Sequence, residues 1–174
     1  MKKPDRVNSK GLSLLELLVS ITVVLILVSL VVFISSVFVN RAKKVRCIGN
    51  MRTLHSALSA HMIDVGHWPQ MEEDRFDFTE EDFFRFWVEA TAPYGMTQET
   101  WVCPMDRSLA IRLGEIGMKY YGSYNVTRFD KAPTTPYRWN QPWAMERGNL
   151  HGNGVHILMP DGSVHESMKP FYGR

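Results

Sequence analysis

The sequence lacks the short motifs that mark most enzyme active sites. It contains no nucleophile elbow, no phosphate-binding loop and no dinucleotide fingerprint. It also lacks the His-Glu-x-x-His spacing and the paired cysteine spacings of zinc-binding domains. These absences predict a protein that is not an enzyme and that holds no metal ion or cofactor.

Acidic residues are scarce in the first part of the chain. Residues 1–52 hold nine of the 20 Lys and Arg but only two of the 18 Asp and Glu. The rest of the chain is therefore acidic, although the whole chain carries a formal net charge of +2. A basic, apolar front joined to an acidic back disfavours a protein that coats nucleic acid, and we expect no nucleic-acid partner.

Proline and glycine are absent from residues 12–39, and Glu16 is the one charged residue there. A bilayer core requires about 20 apolar helical residues, so this block is long enough to span a membrane. A secretory signal peptide has an apolar region of only roughly 7–15 residues, followed by a small-residue cleavage site. Because basic residues flank the block on both sides, loop charge alone does not predict its orientation.

A carboxylate close to the start of an apolar helix is energetically costly. Insertion scales place an acidic group at the bilayer centre at about 2.5 to 3.5 kcal/mol, so Glu16 is a candidate functional residue that needs a partner. Lys10 and Gly11 precede the helix, and Glu16 is the fifth residue after Gly11. This arrangement resembles the start of type IV pilins and of the pseudopilins of type II secretion. The alternative is an ordinary signal anchor with a stray Glu.

The resemblance implies processing by prepilin peptidase, a membrane enzyme with a cytosolic active site. Cleavage would then fall between Gly11 and Leu12, and N-methylation would modify Leu12. Glu16 would be the assembly residue, because its carboxylate can pair with the freed α-amine of a neighbouring subunit and so offset the desolvation of both charges. The family usually begins the mature chain with Phe, whereas this chain has Leu12.

Apolar residues continue at helical spacing beyond this block, which predicts one long helix that runs out of the membrane. The positions at three- and four-residue spacing are Val45, Ile48, Met51, Leu54 or His55, Leu58 and Met62. Gly66 followed by Pro69 predicts the end of this helix. The exit through Trp68 and Pro69 also resembles the end of the long helix in major pseudopilins.

The rest of the chain is predicted to form a small globular domain. Thr79 precedes an acidic helix start, which predicts a short helix through Ala92 with an aromatic face in the core. Residues 107–116 are a candidate helix, and residues 120–128 have strand-like composition. The predicted fold class is α+β and pilin-like, with a long N-terminal helix packed on a small antiparallel sheet. The predicted organisation is a leader at 1–11, a transmembrane part at 12–39, a soluble continuation of the helix at 40–66 and a globular domain with a C-terminal hairpin at 67–174.

The C-terminal segment predicts a tight β-hairpin. Residues 155–159 and 163–167 read as strands around a Pro-Asp-Gly turn that ends in Gly162. His151 stands ten positions before Asp161, and this spacing resembles the processing-associated domain of a large bacterial group of pilin-like proteins. In a structural interpretation, Asp161 caps its own turn and His151 hydrogen-bonds to the hairpin. The alternative is a metal site, which would draw on four side chains: His151, His156, His165 and Asp161.

Only two cysteines occur, Cys47 and Cys103. The group with the processing-associated domain often carries a Cys soon after the membrane helix and a Cys-Pro pair in the middle, and both positions match. An even count in an oxidising compartment favours a disulfide between them, whereas two cysteines in an intracellular protein are more often buried thiols. A Cys47–Cys103 bond would link the soluble domain to the long helix.

The predicted function is that of a structural, pseudopilin-like subunit of a type II secretion-like filament. The alternatives are a minor type IV pilin for adhesion or DNA uptake and, less favoured, a membrane-tethered, metal-dependent enzyme. The partners implied by the resemblance are prepilin peptidase, other pilin-like subunits and an inner-membrane assembly platform. The implied location is a single pass of the inner membrane, with the N-terminus cytoplasmic and the C-terminal domain periplasmic.

The cleavage site can be tested by intact-mass analysis of the protein from cells with an active prepilin peptidase. The mature chain should start at Leu12, because the Gly11 junction is presented at the cytosolic face of the membrane. A bulky replacement such as Gly11→Phe should leave the chain at full length. Mature protein that still begins at Met1 would contradict this prediction.

Overall fold

The computed structural model describes residues 13–71, 79–106, 109, 117–138, 141–152 and 154–167, with the backbone alone described at 32–34. The chain divides into two compact units, Met1–Asn40 and Arg41–Arg174. The helices are α1 (Leu14–Val65) and α2 (Glu80–Thr91), with short 3₁₀ helices at Ala92–Tyr94, Gln98–Trp101 and Thr135–Tyr137. The strands are β1 (Tyr124–Val126), β2 (Ala144–Glu146), β3 (Val155–Leu158) and β4 (Val164–Ser167). The predicted pilin-like α+β fold is confirmed.

The part of α1 in the first unit exposes its large apolar side chains, among them Leu14, Leu25 and Val31. Its hydroxyl groups are satisfied within the helix, since Ser20 Oγ donates to the Glu16 carbonyl oxygen at 2.7 Å and other Ser and Thr residues bond in the same way. Internal satisfaction of polar groups is what a hydrocarbon environment requires. With a mean hydropathy of 3.2 over its most apolar window, the helix fits a single-pass, membrane-anchored protein.

The part of α1 in the second unit forms one side of the core. The buried positions on this helix face are Cys47, Met51, Leu54, Leu58 and Met62. The predicted face is therefore confirmed from Met51 onward, but the prediction for Val45 was wrong, since Val45 is 67% exposed. Cys47 takes its place because it lies four residues before Met51, on the same side of a helix with 3.6 residues per turn. The helix ends as predicted, with Gly66 at a φ of 85°.

The four strands form one antiparallel sheet in the order β1-β2-β3-β4. β3 and β4 form the predicted hairpin, in which His156 pairs with Glu166 and Leu158 with Val164. The turn closes through hydrogen bonds from the Met159 N–H to the Ser163 carbonyl and from the Gly162 N–H to the Met159 carbonyl. Strand β2 lies between β1 and β3, and its register sets Ala144 opposite Leu158. β2 therefore ends at Glu146, beside the start of β3.

Helix α2 begins at the predicted cap. The Thr79 hydroxyl accepts a hydrogen bond from the Asp82 N–H, and the Asp82 carboxylate accepts one from the Thr79 N–H, which makes a full capping box. Phe84, Trp87 and Val88 are buried, so the aromatic face is core as predicted. The candidate helix at 107–116 lies outside the described residues except for Leu109.

Four tryptophans fill the centre of the second unit: Trp68, Trp87, Trp101 and Trp143. Trp68 packs edge-to-face on Trp143, with ring centroids 5.0 Å apart, and on Trp87 at 6.2 Å. Its indole N–H donates to the Thr127 carbonyl oxygen at 3.0 Å. Large aromatic rings in edge-to-face contact bury much apolar area and fix the relative position of the elements that carry them.

Gly122 offers a test of how tightly this core is packed. A Cβ atom at Gly122 would lie 2.6 Å from Cε1 of the buried Phe84 ring and 3.2 Å from the Trp101 carbonyl oxygen. We expect Gly122→Ala to lower the free energy of unfolding by about 1–3 kcal/mol, because overpacking forces rings and backbone apart. Gly148→Ala is the matched control, since a Cβ there meets no atom within 4 Å. Thermal unfolding of the full chain in detergent measures both, and equal stability of the two variants would show that the core yields easily.

Candidate functional site

The predicted processing residues lie outside the described part of the chain, whereas Glu16, the predicted assembly residue, lies inside it. Gly11 and Leu12 lie outside the described residues, so the predicted cleavage and methylation site has no structural account. Glu16 lies exposed in the first turn of α1. An acidic residue at that position also interacts favourably with the partial positive charge of a helix N-terminus. No described residue pairs with its carboxylate.

The residues of the His151 to Gly162 motif lie in two different environments: Asp161 and Gly162 at the hairpin turn, and His151 in the core. The exposed Asp161 carboxylate accepts hydrogen bonds from the N–H and hydroxyl of Ser163, which lowers the pKa of Asp161 and stabilises the turn. Gly162 has a φ of 79°, and a Cβ there would lie 3.2 Å from the His55 ring. Asp161 and Gly162 therefore shape the turn, while His151 points into a different group of side chains.

That group brings four metal-ligand atoms within 4.8 Å of one another. We call it the donor cluster, and its members are Cys47, Cys103, Glu146 and His151. They come from α1, from the segment after the second 3₁₀ helix, from the end of β2 and from the β2–β3 connection. All four side chains are shielded from solvent, including the His151 imidazole, which is 1% exposed.

The Glu146 carboxylate is the hydrogen-bonding centre of the donor cluster. Its Oε1 accepts from the Cys47 thiol at 2.8 Å and lies 2.9 Å from ring nitrogens of both His151 and His156. Its Oε2 accepts from the His156 backbone N–H at 2.9 Å. A buried carboxylate needs such donors, because leaving it unpaired in the core would be very unfavourable.

The two sulfur atoms have their own partners. The Tyr124 hydroxyl lies 3.1 Å from Cys47 Sγ and donates to it, since the thiol proton points to Glu146. Cys103 Sγ lies 3.5 Å from His151 Nε2 and also interacts with the Met105 backbone N–H. Both thiols are free in the structure, so the Cys47–Cys103 disulfide stays a prediction.

Burial and hydrogen bonding act on the pKa values of the donor cluster in different directions. Burial alone would raise the pKa of Glu146, but hydrogen bonds from His156 and Cys47 outweigh it, and the pKa is lowered. Burial lowers the pKa of His151, which favours a neutral imidazole. The proximity of the two cysteine side chains is the largest influence on both: it raises the pKa of Cys47, as burial also does, and it lowers the pKa of Cys103. The donor cluster thus combines a carboxylate, a neutral imidazole and one thiol that ionises more easily.

The donor cluster differs from the metal site considered from the sequence. His151 belongs to both, but Asp161 and His165 do not join it, and His165 lies exposed beside Ser163. Sequence reasoning missed Glu146 altogether. In the structure, Ala144 and Glu146 share the inward face of β2. A charged residue therefore occupies a core position that the sequence alone did not indicate.

Residues 6–32 match the family described as the prokaryotic N-terminal methylation motif. Neither a curated protein nor a solved structure matches the chain. The match indicates a protein of the type IV pilin or pseudopilin class, and it implies processing by prepilin peptidase and assembly with other pilin subunits. Proteins with this motif are in general structural and not enzymatic.

Replacement of Glu146 tests its role as the centre of the donor cluster. Glu146→Ala would leave several buried donors without an acceptor, so we expect the free energy of unfolding to fall by about 3 kcal/mol. Glu166→Ala is the matched control on β4, because Glu166 forms a partly exposed ion pair with Lys44 and such pairs contribute less than about 1 kcal/mol. Chemical denaturation of the full chain in detergent gives both values. Equal losses would contradict a central role for Glu146.

Proposed function

We propose that this chain is a structural, pseudopilin-like subunit of a type II secretion-like filament. The observation that carries the proposal is the methylation motif at residues 6–32, joined to a helix whose apolar side chains face outward. Prepilin peptidase cuts between Gly11 and Leu12 and methylates the new N-terminus at Leu12. The mature subunit then begins with an apolar helix that bears Glu16 near its first turn.

The length of the apolar helix supports assembly in addition to anchoring. The stretch of α1 from Leu14 to residue 39 is about 39 Å long at 1.5 Å per residue, which exceeds the roughly 30 Å of bilayer hydrocarbon. Lipid therefore does not cover the whole apolar surface of an upright helix. The helices of neighbouring subunits cover it in a filament, where apolar side chains pack against one another and exclude water.

The Glu16 carboxylate determines how neighbouring subunits align along their helices. Its carboxylate has no partner among the described residues, and an unpaired carboxylate in an apolar surrounding is unfavourable. The α-amine of Leu12 on the next subunit is a cation that becomes available only after cleavage. Pairing of the two groups compensates both charges, and it ties assembly to processing because the uncut leader places no amine at that point.

The proposed topology follows from the same step. The peptidase acts at the cytosolic face, so the leader at 1–11 is cytoplasmic and the helix crosses the inner membrane once. The continuation at 40–66 and the globular domain at 67–174 are then periplasmic. An inner-membrane assembly platform adds the mature subunits to the filament.

Replacement of Glu16 separates assembly from insertion. Glu16→Leu removes a costly charge, so the variant should integrate into the membrane as well as the parent, but its incorporation into filaments should fall at least tenfold. Ser20→Leu is the control in the same helix, because the Ser20 hydroxyl donates to the Glu16 backbone carbonyl and to no other described residue. Carbonate extraction measures integration, and cross-linking of subunits in cells measures assembly.

Two outcomes of that experiment would contradict the proposal. Normal cross-linking of Glu16→Leu would remove the pairing role, and equal failure of Ser20→Leu would show that the helix surface as a whole, and not the carboxylate, controls assembly. Imaging of the parent then distinguishes the kind of filament. Fibres confined to the envelope support secretion, whereas long surface fibres indicate the pilus alternative.

A further inference from the structure

We propose that the donor cluster is a binding site for Zn²⁺. The proposed filament function does not use these four side chains and does not depend on them. Thiolate sulfur, imidazole nitrogen and carboxylate oxygen are the three donor types that zinc takes in proteins, and structural zinc sites have four such ligands. Sulfur ligands also select zinc over the hard cations calcium and magnesium, which prefer oxygen.

One separation between donor atoms equals that of a zinc tetrahedron, and all four donor atoms lie within 4.8 Å of one another. Zn–S bonds of about 2.3 Å and Zn–N bonds of about 2.05 Å place sulfur and nitrogen about 3.5 Å apart, and Cys103 Sγ lies 3.5 Å from His151 Nε2. The carboxylate contacts are shorter, at 2.8 Å to Cys47 Sγ and 2.9 Å to His151 Nε2. These two contacts are hydrogen bonds. If the two atoms of each pair move about 0.5–0.7 Å further apart, they take the spacing of two zinc ligands.

Crowding at Glu146 Oε1 is a second observation that points to a cation. A thiol and two imidazole nitrogens lie within 2.9 Å of this single oxygen, while the second sulfur, Cys103 Sγ, stands beside them. A zinc ion replaces the proton contacts from Cys47 and His151 with direct bonds. His156 keeps its hydrogen bonds to both carboxylate oxygens and so orients the ligand.

The residues around the donor cluster supply the outer hydrogen bonds that metal ligands require. Tyr124 donates its hydroxyl to Cys47 Sγ, and the Met105 N–H donates to Cys103 Sγ. The Cys103 backbone is itself held, because its N–H donates to Ser123 Oγ at 3.0 Å and its carbonyl accepts from the Asp106 N–H at 2.9 Å. Each sulfur thus has a donor that stabilises a thiolate.

The imidazole of His151 is also oriented for a metal bond. Its Nδ1 lies 3.1 Å from the Met105 sulfur, which is a weak acceptor. In the zinc-bound form the imidazole proton lies on Nδ1, so Nε2 presents to the ion the lone pair that replaces its proton contact to Glu146. Zinc binding then displaces the protons of both thiols to solvent, and two thiolates, one carboxylate and one neutral imidazole surround the dication.

Zinc and a disulfide exclude each other at this site. A Cys47–Cys103 bond places the sulfur atoms at about 2.05 Å, which consumes both thiolates and leaves no room for the ion between them. The structure holds both as free thiols. Zinc would link α1 to the sheet and to the Cys103 segment, and therefore stabilise the globular part.

The test uses the full chain, purified in detergent under reducing conditions and freed of metal with a chelator. Addition of Zn²⁺ alone should load one ion per chain, measured by elemental analysis, and should protect both thiols from alkylation until the chelator is restored. Co²⁺ in place of zinc should give the thiolate-to-metal absorption of a tetrahedral site. These measurements are made on the unmodified protein, so they test the proposal even if a variant fails to fold.

Variants then assign the ligands. Cys103→Ser and His151→Gln should each weaken zinc binding at least tenfold, whereas His165→Gln should leave it unchanged, because His165 is an exposed imidazole outside the donor cluster. His151→Cys should restore binding, since it supplies another zinc ligand.

Three results would overturn the proposal. The first is a reduced chain that binds no zinc, and the second is unchanged zinc binding by the Cys47→Ser/Cys103→Ser double variant. The third is protein from cells whose thiols react only after reduction, since that outcome establishes the disulfide in place of the metal. All three are independent of filament assembly, because the measurements are made on the unassembled chain and on its thiols.

Discussion

The buried carboxylate of Glu146 is the constraint on which the arrangement of the globular part depends. A charge in the core is tolerated only when donors surround it, and here they come from three places along the chain. Cys47 lies on α1, His151 in the β2–β3 connection and His156 on β3. Because all of them must reach one carboxylate, the C-terminal part of α1, the β2–β3 connection and the sheet are positioned together. Removing any one of them leaves the charge less compensated.

A second set of contacts holds the same helix two turns further on. The His55 ring stacks on Trp143 with centroids 4.6 Å apart, and its Nε2 lies 2.9 Å from the Pro160 carbonyl oxygen. Trp143 in turn packs on Trp68, which follows the end of α1. The polar contact at Cys47 and the aromatic contact at His55 are separated along α1, so together they determine both its position and its rotation on the sheet. They also explain why the turn after Pro160 needs Gly162, since a Cβ there would meet the His55 ring.

The features that could be predicted from sequence are those with local causes. The end of α1 at Gly66, the helix cap at Thr79 and the β3–β4 hairpin each depend on a few adjacent residues. The core role of the α2 aromatic face follows from helical spacing. The error at Val45 arose because several registers of an apolar stripe fit the spacing, and only packing against the sheet selects the one that includes Cys47.

The donor cluster could not be predicted, because its members are brought together by tertiary contacts. Cys47 and Glu146 are 99 residues apart, and no short motif joins them. The cysteine count suggested a pair, and the spacing to Asp161 drew attention to His151, but neither feature connects the cysteines with the histidine. That connection requires the register of β2 against β3, which sets Glu146 beside the start of β3. Nonlocal strand pairing carries little signal in a single sequence.

The carboxylates of Glu146 and Glu16 differ in how their charges are compensated within the described part of the chain. Glu146 accepts hydrogen bonds from donors within the chain, so its charge stabilises the fold of one subunit. Glu16 has no partner among the described residues, so any compensation must come from outside this part of the molecule. A partner for the Glu16 carboxylate within the same chain would already compensate its charge, and pairing with a neighbouring subunit would then gain little. In the proposed filament, the uncompensated charge of Glu16 is therefore what makes association favourable, whereas the compensated charge of Glu146 stabilises the fold of each subunit.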